Sequence, residues 1–90
     1  MAKEIGLSSE SLKISTVTGA AADTNMAVAN ITTDCELLSV LSIDWDDDTA
    51  THLTDDTAQA SITSAGNIQS STNNSGHAML VIWLNHDKTV

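Results

Sequence analysis

Leu12 and Ile14 alternate with polar residues over Ser11 to Thr18 until Val17 breaks the period of two, which predicts a first strand ending in a bend. Gly19 opens a small-residue stretch, GAAADTN. It has no amphipathic stripe, and its Asp23, Thr24 and Asn25 are turn formers, so it reads as a loop. A second strand is predicted over Met26 to Ile31, then a turn at Thr32, Thr33 and Asp34. The third strand, Cys35 to Trp45, places Leu37, Leu41, Ile43 and Trp45 on one parity and Leu38 and Val40 on the other. It is apolar on both faces at its start and turns polar at Ser42 and Asp44, so it is expected to leave the core toward an acidic loop, Asp46 to Asp56.

Ala58 to Ser64 gives a weaker fourth strand carried by Ile62. The hairpin turn Ala65, Gly66, Asn67 leads to a short fifth strand at Ile68, and Ser70 to Gly76 is a polar connection. The longest apolar run follows, HAMLVIWLNH, from His77 to His86. It is too short for a transmembrane helix and has Val81, Ile82 and Trp83 at its centre, so it is expected to be a central strand buried on both faces. These elements predict an all-β fold, a small antiparallel β-sandwich or barrel of about six strands, jelly-roll-like in architecture. Residues 1–10 read as a polar N-terminal arm and 11–90 as a single β domain.

Composition narrows the ways in which such a domain is held together. The chain of 90 residues has no Phe or Tyr and only two Trp, so its core has to be aliphatic, and small aliphatic cores are marginal without help. Cys35 is the only cysteine and cannot pair within the chain; its apolar neighbours suit a small core residue. Proline, a usual blunting device for edge strands, is absent, which leaves exposed edges to be covered by charge, short length or another subunit. Together these features raise the weight of a partner chain.

Twelve acidic side chains against Lys3, Lys13 and Lys88 give a formal net charge of −9. Nucleic acid and anionic membranes both need clustered cations, so neither is expected as a partner. The N-terminal MAKEIGLSSE carries charges where a signal peptide has its apolar segment, which points to synthesis in the cytoplasm. A virion component is also made there and leaves by lysis.

The sharpest candidate for chemistry is Asp44, Asp46, Asp48 and Asp55, whose alternation lets carboxylates converge on a hard cation such as Ca²⁺. The spacing departs from an EF-hand loop at Thr49, where glycine is needed, and at Asp55, where a bidentate Glu is needed. Those departures favour a solvated acidic loop, so no cofactor is expected and Ca²⁺ is the alternative. His52, His77 and His86 lack zinc-ligand spacing, and a histidine cluster would require an oligomer axis. Neither a nucleophile elbow nor a glycine-rich phosphate loop is present, so no enzyme activity is expected. Trp45 and Trp83 each end an apolar strand and suit core packing or a subunit interface.

Four segments carry a resemblance: TGAAADTNMAVANI at 18–31, LLSVL at 37–41, ASITSAGNIQSSTNNSG at 60–76 and HAMLVIWL at 77–84. In them the chain resembles small head-associated structural proteins of tailed bacteriophages. The resemblance implies a β-rich decoration, or cement, protein on the exterior of an expanded capsid, often a homotrimer at local threefold positions, with the major capsid protein as its partner. The alternatives from the residues alone are a ligand-binding β-module (a fibre, tail-tip or Ca²⁺-dependent adhesion domain with the 44–56 loop as its site) or another virion component such as a tail or neck protein.

Overall fold

Among the described residues seven strands are formed, in chain order β1 (Leu12–Thr18), β2 (Met26–Ala27), β3 (Glu36–Ile43), β4 (Leu53–Asp55), β5 (Ala60–Ser64), β6 (Asn67–Ser70) and β7 (Ala78–Leu84), with a 3-10 turn, Thr57–Gln59, after β4. They come from a computed structural model that describes residues 12–44 and 52–85. Two antiparallel sheets result, a four-stranded one in the order β1-β7-β3-β4 and a three-stranded one in the order β2-β6-β5. The fold is all-β, as the alternation and turn chemistry predict, and is a small β-sandwich. The arm predicted over residues 1–10 lies outside the described residues.

Between the sheets lies the aliphatic core the composition demands. Met79, Val81 and Trp83 of β7 and Val40 of β3 meet Met26 and Ile68 of the smaller sheet, closed by Val28, Ile31 and Cys35. β7 is an inner strand, hydrogen-bonded to β1 on one side and β3 on the other. It is not buried on both faces, however: Met79, Val81 and Trp83 are buried while Ala78, Leu80, Ile82 and Leu84 are half-buried. The strand is shorter than the apolar run that announced it, and His86 lies outside the described residues.

Other differences have local causes. The second strand stops at Ala27 because Asn30 takes a left-handed conformation, φ 72°, and turns the chain. Val28 N–H donates to the Gly66 carbonyl and Gly66 N–H to the Ile31 carbonyl, so this turn rests on the β5–β6 hairpin and buries Val28 and Ile31 together. Leu53, Thr54 and Asp55 pair with Ile43, Ser42 and Leu41 and add an edge strand inside the segment expected to be loop. Asp56, assigned by sequence to the solvated loop, is 2 % exposed.

Asp56 ties the two sheets together. Its Oδ2 accepts hydrogen bonds from Ser70 Oγ at 2.6 Å and Asn74 Nδ2 at 3.0 Å, and its N–H donates to the Val40 carbonyl. Asn74, also buried, anchors the 71–77 connection by donating its N–H to Ala20 O. The fit there admits only glycine at position 19, since a Cβ on Gly19 would stand 2.2 Å from the Asn74 carbonyl oxygen.

Candidate functional site

Directly opposite residues in antiparallel strands share a face, so the register sorts every side chain of the larger sheet. Val17, Ser15 and Lys13 of β1 stand opposite Met79, Val81 and Trp83, on the core side. Leu12 and Ile14 stand opposite Leu84 and Ile82, on the outer side. Leu41 and Ile43 of β3 join them opposite Leu80 and Ala78, and Leu53 of β4 extends the row opposite Ile43.

A β-bulge creates part of this surface. Register shifts between Leu37, opposite Trp83, and Ser39, opposite Ile82, leaving Leu38 as the extra residue. Strict alternation would put Leu37, Leu41 and Ile43 on one face; the bulge sends Leu37 and Val40 to the core and Leu41 and Ile43 outward. The result is an aliphatic sheet face open to solvent, with Ile14 64 %, Leu53 53 %, and Leu12 and Leu38 each 44 % exposed.

The opposite outer surface of the sandwich has a different character. Ser61, Gln69 and Asn67 alternate with core residues of β5 and β6, and Asn25 Oδ1 accepts from Gln69 Nε2 at 2.7 Å and Thr63 Oγ1 at 3.2 Å. That face satisfies its polar groups within itself and in water. The aliphatic face belongs to a sheet that is finished on one side only.

Glu36 and Asp55 are the charged residues that the register places on the aliphatic face, among the described residues, opposite Leu84 and Leu41. Asp55 Oδ1 accepts from the Thr57 hydroxyl at 2.6 Å and the Thr57 N–H at 3.0 Å. The hydroxyl contact first, then the backbone contact, hold the Asp55 carboxyl below its ordinary value of 3.8. Because the folded-state value lies below the unfolded one, these contacts stabilise the fold fully at neutral pH, and that contribution disappears as pH falls through the folded-state value. Thr57→Val is expected to move the Asp55 titration up toward 3.8, read by carboxyl ¹³C NMR; an unmoved titration would remove the hydroxyl as the main cause.

One polar constellation was not legible in the sequence. His77 Nδ1 lies 2.8 Å from Ser42 Oγ, and its Nε2 lies 3.5 Å from Asp44 Oδ2. With the proton on Nε2, the serine hydroxyl donates to Nδ1 and the imidazole N–H points at the carboxylate. The residue types are those of a hydrolytic triad, but Ser42 is 4 % exposed on the core side, opposite Met79. An open cleft of about 400 Å³ beside it is lined by Thr16, Val17, Thr18, Gly76, His77 and Ala78, without Ser42. The contacts of the trio tie the end of β3 to the start of β7.

Of the four carboxylates expected as a candidate cation site, Asp46 and Asp48 lie outside the described residues; Asp44 turns to His77 on the core side and Asp55 to Thr57 on the outer side. Among the described residues no group of three His, Cys, Asp or Glu is placed to hold a metal ion. His52 meets the backbone of the same Asp44, its Nδ1 3.0 Å from the carbonyl oxygen, where it continues the β3–β4 ladder. Trp83 is buried in the core with Nε1 lacking a hydrogen-bond partner, and Trp45 lies outside the described residues. Cys35 is buried, its thiol 3.7 Å from Asn85 Oδ1.

Comparison of the chain with protein-family models, with curated proteins and with solved structures returns no match.

Proposed function

We propose that the protein is a non-enzymatic structural component of a tailed-phage virion, a capsid decoration protein that docks on the major capsid protein and stabilises the head by bridging its subunits. The observation that carries this is the contrast between the two outer faces of the sandwich. One is polar and internally hydrogen-bonded, while the other exposes Leu12, Ile14, Leu38 and Leu53 beside half-buried Leu41, Ile43, Leu80 and Ile82. A face of that chemistry, on a domain whose core is small and aliphatic, gains stability when a second protein surface covers it. The four segments that resemble phage head proteins support the same role.

Such a protein works by adding contacts across capsomer boundaries, each modest alone and summed over many copies. A homotrimer would place three such faces on one particle site. Sizing of the purified chain followed by co-sedimentation with assembled heads tests this directly. A trimer that pellets with heads, and heads that lose DNA at lower temperature without it, are the expected results. A stable monomer that stays in the supernatant would overturn the proposal.

A further inference from the structure

We infer that the aliphatic face of the four-stranded sheet docks on a protein surface whose own aliphatic patch is rimmed by Lys or Arg. This deepens the decoration reading and rests on it only for the identity of the partner.

Size sets the first constraint. Strands of seven or eight residues at about 3.3 Å per residue, four abreast at about 4.8 Å, give a face of roughly 400 Å² in projection. That is in the range of apolar patches that mark interaction sites, and about half of what one partner buries in a standard interface. The remainder has to come from a polar rim, as it does in protein interfaces generally.

Among the described residues the charges on this face have one sign: Glu36 and Asp55 share the sheet face, and no Lys or Arg falls on it. Lys13, the single basic residue in the described strands, is on the core side of β1 opposite Trp83. Asp55 keeps its charge down to acid pH because Thr57 holds its carboxylate.

A second copy of the chain fits this surface poorly. Pressing two such faces together opposes the carboxylates of one to those of the other and brings two chains of formal net charge −9 together. A partner with cations around an aliphatic centre meets both requirements at once, and its charges raise the rate of encounter as well as the selectivity.

Calorimetric titration of the whole chain with a peptide of alternating Leu and Lys, and with a same-length peptide of alternating Leu and Glu, tests the inference. The Leu–Lys peptide is expected to bind with an affinity that falls as salt is added, to perturb the Ile14 and Leu53 methyl resonances, and to bind at least 10-fold more tightly than the Leu–Glu peptide. The double variant Ile14→Ser, Leu53→Ser, with its fold checked by circular dichroism, is expected to lose at least 10-fold in that affinity; both residues are more than half exposed. Equal binding of the two peptides would overturn the charge requirement. Unchanged affinity of the double variant would reduce the attraction to diffuse charge and overturn the face as the site. Self-association of the chain that the double variant abolishes would assign the face to a second copy instead. The decoration reading fails separately: absence of co-sedimentation with heads removes it while leaving peptide docking intact, and heads that bind wild type and double variant alike keep it while removing this face.

Discussion

Val81→Asp is expected to abolish folding, while Ile82→Asp, one residue along the same strand, leaves the fold standing. Val81 is fully buried between Ser15 of β1 and Val40 of β3, facing the smaller sheet. A carboxylate there would sit in the aliphatic core out of reach of water, and an unpaired buried charge costs several kcal/mol or more, which is comparable to the whole stability of a small domain, roughly 5–15 kcal/mol. Ile82 points the other way, between Ile14 and Ser39 on the half-open face. Its replacement by Asp gives up part of an aliphatic burial, about 1 kcal/mol, and lets the new charge reach solvent. Circular dichroism and urea titration separate the two: no cooperative transition for Val81→Asp, a modestly lowered midpoint for Ile82→Asp. A folded Val81→Asp would mean that the strand register is wrong, and an unfolded Ile82→Asp would mean that the outer face is part of the core.

The second large effect belongs to Asp56. Asp56→Ala is expected to cost roughly 2–5 kcal/mol, because the Ser70 hydroxyl and the Asn74 amide, both buried, lose the acceptor they share. Asp56→Asn keeps a carbonyl oxygen in nearly the same place and should cost clearly less if its amide can be accommodated. Urea midpoints of the two variants decide it. A loss in Asp56→Ala no greater than in a surface variant, within about 0.5 kcal/mol, would show that the tie between the sheets contributes little.

How much of this was legible beforehand depended on whether a feature is local in sequence. Leu12 and Ile14 alternate cleanly, and Ala65 with Gly66 makes a hairpin turn, so β1 and the β5–β6 hairpin could be read directly. β4 could not, because it has three residues, one of them apolar, and exists only by pairing with β3. The bulge at Leu38 was equally invisible, since parity assumes an unbroken register, and with it went the outward turn of Leu41 and Ile43. An apolar run such as Met79 to Leu84 is ambiguous in the same way: hydrophobicity on both parities signals that both faces want cover, and only the structure shows which one the chain itself supplies. Asp56 looked like one more acid in an acidic loop, because its partners Ser70 and Asn74 come from the next sheet and the connection beyond it. The Ser42–His77–Asp44 tie needed the β3–β7 register before its members could be seen as neighbours.

The position of β7 between β1 and β3 also fixes an order of events. Neither β1 nor β3 has its main partner until β7 arrives, and β1 precedes it by nearly the whole described chain. The local β5–β6 hairpin can close early, but the larger sheet is a late and long-range assembly, so its folding should be slow for a domain of this size. During synthesis β1 waits unpaired and β3 has only the short β4 beside it, with edges available to other chains. The scarcity of positive charge on so acidic a chain then has a use before any partner is met, since mutual repulsion keeps waiting chains apart until their last strand slots into place.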